Sequence, residues 1–203
     1  MTHTVKQIET AACRRHLLNW LQRALLGVGC TALSYAGFTL ACAHLYQKRV
    51  DATLNAGVWR DGKIALTANH LAPKPSELLG RIEVPRLGIK VPLLEGTSWR
   101  TLRLGAGHIA GTAVPGGPGN TGIAGHRDTF FHRLQEIRKG DVVILQTTTG
   151  ITRYEVDWIQ IVSPQDSAIL SVSNAPTLTL ITCYPFRYIG AAPERYVVHA
   201  RRK

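Results

Sequence analysis

The hydrophobic pattern changes rhythm along the chain. Residues 24–46, ALLGVGCTALSYAGFTLACAHLY, form one apolar block without Asp, Glu, Lys or Arg. At about 1.5 Å per residue, a helix of that length crosses the roughly 30 Å hydrocarbon core of a bilayer. A retained transmembrane anchor is therefore expected, with Trp20 and Tyr46 near its ends, where amphipathic rings favour the interface. A cleaved signal peptide has a shorter apolar core, although Ala41-Cys42-Ala43 resembles a cleavage site. A lipoprotein acyl site at Cys42 fits poorly with polar Thr39 ahead of it. Lys6, Arg14, Arg15 and Arg23 precede the block and Lys48 and Arg49 follow it, an imbalance that predicts an inside N-terminus.

Residues 47–79 read as a juxtamembrane segment. Val50, Leu54 and Val58 recur at helical spacing, and Pro73-Lys74-Pro75 forbids a helix beyond them. From Gly80 onward the texture is short apolar runs broken by Gly and Pro. RIEVPRLGIKVPLLEG predicts two strands and a turn, GTSWRTLRLGAGH one helical turn, Thr121–Ala124 a short strand and Phe131–Ile137 a short helix. A hairpin turning at Thr149-Gly150 follows, then strands over 177–183 and 195–200. Seven or eight short strands with so little helix predict a closed or nearly closed β-barrel over residues 80–203. The expected organisation is thus a cytoplasmic segment 1–23, an anchor 24–46, a linker 47–79 and a folded domain 80–203.

Charge narrows the partners. The net +11 divides into +3 on residues 1–23, +2 on 47–79 and +6 on 80–203, with no basic stripe interleaved with aromatics. No nucleic acid is expected as a partner; a mildly basic domain beside an anionic membrane is the simpler reading.

Cys13, Cys30 and Cys42 lie in or before the apolar block, so Cys183 is alone in the folded domain. A lone thiol in an oxidising compartment is a liability unless buried or used. Alternation along 177–183 puts Leu178, Leu180 and Thr182 on one face and Thr179, Ile181 and Cys183 on the other. Pro185 ends the ladder, leaving Cys183 at the strand tip. Taken alone, such a cysteine fits inert packing as well as chemistry. His126, in Gly125-His126-Arg127-Asp128, and Arg195, at the head of the last strand, supply an imidazole for proton exchange and a donor for an oxyanion.

The segment Thr179-Leu180-Ile181-Thr182-Cys183 resembles the T-L-x-T-C signature of sortases. GHIAGTAVPGGPGNTGIAGHRDTFF is similar to the segment bearing their catalytic histidine, and APERYVV to the strand bearing their arginine, in the same chain order. CYPFRYIGAAPERYVV is most similar to class D sortases. The resemblance implies a mostly β fold, a sortase-like eight-stranded barrel with short helices, here preceded by the transmembrane helix. It implies a cysteine transpeptidase: Cys183 the nucleophile on an LPxTG-like sorting signal, His126 the proton carrier, Arg195 the orienting group and oxyanion donor. Thr182 is expected to line the oxyanion site and His108 to pack in its loop or line the groove. The implied partners are secreted proteins bearing the signal and an amine acceptor, such as a peptidoglycan precursor or a pilin lysine, outside the cell membrane.

Neighbouring residues carry smaller expectations. Asp128 caps a turn or orients His126; Arg127 and Arg187 are solvated charges; the loop Ser163–Pro176 sits beside the cleft and helps select the signal. No cofactor or metal is expected, since His108, His126, His132 and Cys183 show no short zinc-type spacing and the acidic residues are scattered for calcium. L,D-transpeptidases have S-H-G-C at the nucleophile, where this chain has Ile181-Thr182 before Cys183, and papain-like peptidases place cysteine before histidine. The competing reading is an inactive, membrane-tethered barrel that binds peptide.

Overall fold

Period-two alternation between frequent Gly and Pro breaks makes short strands throughout residues 74–203. The computed structural model describes residues 19–38 and 74–203, with isolated positions 41, 44, 45 and 48 between them. The chain divides into two units, Met1–Leu45 and Tyr46–Lys203.

In the first unit, residues 19–38 form helix α1. Among the described residues no helix is long and apolar enough to cross a membrane. Gln22 and Arg23 lie in the first turns of α1, and only residues 24–38, 41, 44 and 45 of the expected span are described. The amphipathic pattern at Val50, Leu54 and Val58 lies outside the described residues.

Among the described residues the second unit holds eight strands: β1 (Leu78–Val84), β2 (Ile89–Glu95), β3 (Ala106–His108), β4 (Asn120–Ala124), β5 (Val142–Thr147), β6 (Gly150–Val162), β7 (Thr177–Tyr184) and β8 (Glu194–Arg202). They close into a barrel in the order β1-β2-β3-β4-β7-β8-β6-β5. The pairs β2/β3 and β4/β7 are parallel and the rest antiparallel. The first described strand therefore begins at Leu78, and the described strands include β3, which sequence pattern alone left unassigned. Three residues are too few to show a period.

The helical pieces are short, as expected. Helix α2 (Trp99–Leu104) starts where the Ser98 hydroxyl accepts the Thr101 N–H at 3.2 Å, and stops at Gly105. The segment over 131–137 is a 3-10 helix, His132–Glu136. Alternate residues of every long strand fill the barrel: Ile82, Val91, Leu93, Ile123, Val143, Leu145, Tyr154, Leu178, Leu180 and Val198 are buried. Truncating one such leucine to alanine costs about 2–5 kcal/mol, because the packed interior only partly collapses. The same alternation turns the intervening residues of β4, β7 and β8 to the outer surface, and that surface carries the site.

Candidate active site

On β7, Leu178 and Leu180 point into the core, so Thr179, Ile181 and Cys183 lie on the opposite face. Cys183 is partly exposed there. Its register partner across the antiparallel pair with β8 is Arg195, and directly opposed side chains stand with Cβ atoms about 4.5–5.5 Å apart. The Arg195 Nη1 donates to the backbone carbonyls of Ala192 (3.2 Å) and Glu194 (2.9 Å). A guanidinium is a rigid fork of N–H donors with no acceptor, so the group can act only as a donor.

The histidine arrives from the other side. Strand β4 runs parallel to β7 as far as Ala124 opposite Ile181, and one further bond, Gly125 N–H to Ile181 O at 3.1 Å, extends the ladder. The Thr182 hydroxyl donates to the Gly125 carbonyl at 2.7 Å. Gly125 is thus held to β7 from both ends, and His126 comes next, at the register position of Cys183. A turn then closes with Phe131 N–H on His126 O at 3.1 Å. His126, in the turn after β4, and Cys183 and Arg195, paired across β7 and β8, are therefore brought to the same end of the barrel. Catalytic contacts of this kind often tighten only when substrate is bound.

Gly125 is required by close approach. A Cβ there would lie 2.6–2.8 Å from atoms of the Phe131 ring, and Phe131 is fully buried in the core. Below Cys183 and Arg195, Tyr184, Phe186 and Tyr196 pack edge and face, with Phe186 and Tyr196 centroids 5.1 Å apart. Burial, and to a lesser extent Tyr184, pushes the Tyr196 phenol above its usual range.

The loop after β6 is fastened to β4. Asn120 Nδ2 donates to Ile169 O (3.2 Å) and Ser171 O (3.4 Å), while its Oδ1 accepts the hydroxyl of buried Thr179 at 2.8 Å. Leu170 lies over Gly122 of β4 so closely that a Cβ there would come within 2.7 Å of it. The loop 163–176 therefore lies against the outer face of β4 at Asn120 and Gly122, the positions paired with Thr177 and Thr179 of β7.

Other expectations fare differently. His108 is 6% exposed; its Nδ1 faces Glu95 Oε2 at 2.9 Å and its Nε2 faces Ala113 O and Thr112 Oγ1, both at 3.1 Å. Both ring nitrogens are occupied within the protein, which fits the packing alternative and not groove lining. Thr182 is 2% exposed with its hydroxyl proton committed to Gly125 O, so its side chain is inward and holds the histidine segment. Asp128 makes no bond to His126 and caps no helix; its 71%-exposed side chain accepts from Arg127 Nε at 3.3 Å. Arg187 is exposed, as expected. Arg127 is not a solvated charge: it is buried and bonded to three carbonyls of the β7–β8 loop. Asn120 and Arg127 are the contributors that sequence reasoning passed over. Among the described residues no group of three or more His, Cys, Asp or Glu gathers in a way that could hold a metal.

The comparisons agree with this geometry. The Sortase domain family model matches residues 82–203, and the chain belongs to the sortase family. Sortase D of Bacillus subtilis (strain 168) is 36% identical over 131 residues, 64% of this chain and 66% of the relative, so the chain spans just under two thirds of that relative's length. Sortase A of Bacillus anthracis is 26% identical over 157 residues, covering 75% of this chain and 72% of the relative. Among solved structures, a Clostridium perfringens sortase C with the C-terminal cell wall sorting motif matches with TM-score 0.61 and 27% identity, covering 81% of this chain and 87% of that one. A Clostridium perfringens Sortase D5 transpeptidase matches with TM-score 0.59 and 29% identity, covering 65% and 82%. The higher identity to a Sortase D accords with the class D resemblance of the β7–β8 segment.

Proposed function

We propose that this chain is a membrane-anchored cysteine transpeptidase that cleaves an LPxTG-like sorting signal and transfers the acyl portion to an amine at the cell surface. The observation that carries the reading is the register: Cys183 and Arg195 are direct cross-strand partners, and His126 follows the residue that extends β4 along β7. The Clostridium perfringens sortase C solved with a sorting motif supports the substrate class.

In this reading the Cys183 thiolate attacks the carbonyl carbon of a Thr–Gly-type bond. Arg195 orients the peptide and stabilises the tetrahedral oxyanion, where a preorganised donor contributes most. The C–N bond breaks as His126 protonates the leaving amine, leaving a thioester on Cys183. An incoming amine attacks that thioester, His126 takes its proton, and the C–S bond breaks to restore the thiolate. Thr182 acts indirectly, holding Gly125 and so His126. Residues 24–46 anchor the chain with its N-terminus in the cytoplasm and its catalytic unit outside. There it meets secreted proteins bearing the signal and an acceptor such as a peptidoglycan precursor or a pilin lysine.

The test uses the full chain in detergent, mixed with a panel of LPxTG-like peptides and an amine donor and followed by mass spectrometry. A peptide-sized increase on Cys183, released as an amine-linked product and absent from Cys183→Ala, is the expected result. A folded protein with a free thiol that forms no adduct with any peptide, yet binds them, would replace this reading with a binding-only barrel. The anchor is tested separately, by whether the chain stays with the membrane pellet through an alkaline carbonate wash.

A further inference from the structure

Arg127 has no part in the bond-breaking steps above, yet its environment is the most demanding of any charge near the site. It is 6% exposed. Its Nη1 donates to Pro185 O at 2.8 Å, and its Nη2 donates to Tyr188 O at 2.7 Å and Gly190 O at 3.3 Å. Its Nε reaches Asp128 Oδ1 at 3.3 Å, and its guanidinium carbon lies 5.8 Å from the Tyr188 ring centroid. Asp128 is largely in solvent and so is a weak counter-charge.

The three carbonyls belong to one stretch, residues 185–193, which joins the strand of Cys183 to the strand of Arg195. Carbonyl oxygens converging on one point repel each other, and a planar fork of donors gathers them where an ammonium point charge does not. The same stretch supplies Ala192 O, which accepts from Arg195 Nη1 at 3.2 Å. Contacts therefore run from the residue after His126, through the loop after Cys183, to the guanidinium of Arg195. One side chain thus ties the turn after β4 to the loop that joins the tips of β7 and β8.

We infer that Arg127 is a positioning residue, which fixes the β7–β8 loop and with it the relative placement of His126, Cys183 and Arg195. Its effect on turnover rests on the transpeptidase reading given above; its hold on the loop does not. A brace that served stability alone would lower the unfolding temperature and leave kcat and KM of the folded fraction unchanged. A positioning residue lowers kcat, because misplacement by about 1 Å costs roughly a hundredfold in rate, and leaves KM nearly as it was.

The experiment compares the full chain with Arg127→Lys and Arg127→Ala, the latter with and without ethylguanidinium. Hydrogen exchange of residues 185–193 is followed by mass spectrometry, alongside kcat and KM for peptide transfer per titrated thiol. The expected results are faster exchange in that stretch, a kcat down about a hundredfold in Arg127→Ala, partial recovery in Arg127→Lys, and rescue by ethylguanidinium. Unchanged exchange, or unchanged kcat and KM with a lowered unfolding temperature, overturns the inference. If Arg127→Ala does not fold, Arg127→Lys carries the same comparison. If the wild-type chain acts on no peptide, the transpeptidase reading fails, and exchange alone decides whether Arg127 holds the loop.

Discussion

Gly125 shows how little latitude a single position beside the nucleophile has. Its missing side chain makes room for the buried Phe131 ring, and its backbone is bonded at both ends to β7. Gly125→Ala is expected to destabilise the fold by about 1–3 kcal/mol, as overpacking of a filled core does. It should also lower kcat, because the segment that must shift carries His126. Urea denaturation together with peptide transfer checks this; a variant as stable and as active as the parent contradicts it. At this scale the sequence was informative about chemistry and poor about contacts. Alternation along 177–183 and the end of the ladder at Pro185 put Cys183 at an outward strand tip before any fold was known. Arg127 looked like a surface charge because its partners, Pro185, Tyr188 and Gly190, lie far along the chain and act through backbone carbonyls, which no side-chain pattern reports.

Elements depend on how their buried polar groups are paired. Asn120 joins β4, β7 and the loop 163–176 through the Thr179 hydroxyl and two loop carbonyls. Asn120→Ala is expected to cost about 1–3 kcal/mol, largely because it strands a fully buried hydroxyl. Adding Thr179→Val should recover part of that loss while the loop stays unfastened, with a raised KM for the peptide. Unfolding curves of the single and double variants decide it, and a double variant no more stable than the single contradicts the argument. The Arg86–Asp141 pair ties the turn after β1 to the start of β5, with Arg86 Nη2 on Asp141 Oδ2 at 2.6 Å. The Arg86 hydrogen bond, aided by the Arg138 N–H, holds the Asp141 carboxyl below the usual range against the opposing effect of burial. A depressed folded-state pKa means the stabilisation is complete above the unfolded carboxyl's value of about 4. It is lost as pH falls through the lower folded-state value. The stability gap between wild type and Asp141→Asn should therefore be constant from neutrality to about pH 4 and close below it. A gap independent of pH down to acid unfolding contradicts this.

For the whole molecule, the barrel was legible from strand number, strand length and the shortage of helix, because closure is how many short strands avoid free edges. The order of strands was not, since β4 and β7 pair in parallel with β5 and β6 between them in the chain, and neighbouring runs of sequence carry no mark of such a partner. Leu78 and Leu79 extend β1 ahead of Gly80, at which the change of texture first shows in the sequence. Leu180, at the heart of the barrel and 1% exposed, gives a measure of what closure depends on. Leu180→Ala should lower stability by about 2–5 kcal/mol, and an unfolding midpoint unchanged from wild type contradicts the packing described. Closure also decides how an extended peptide can be held. Among the described residues, closure leaves a strand edge free only where one strand outruns its neighbour, as β7 does beyond Ile181, where the pairing with β4 has ended. A peptide that reaches Cys183 meets that short stretch together with the loops and the outward side chains of β4, β7 and β8. Sequence selectivity then resides in those loops, and transplanting them onto another closed barrel is the direct way to move it.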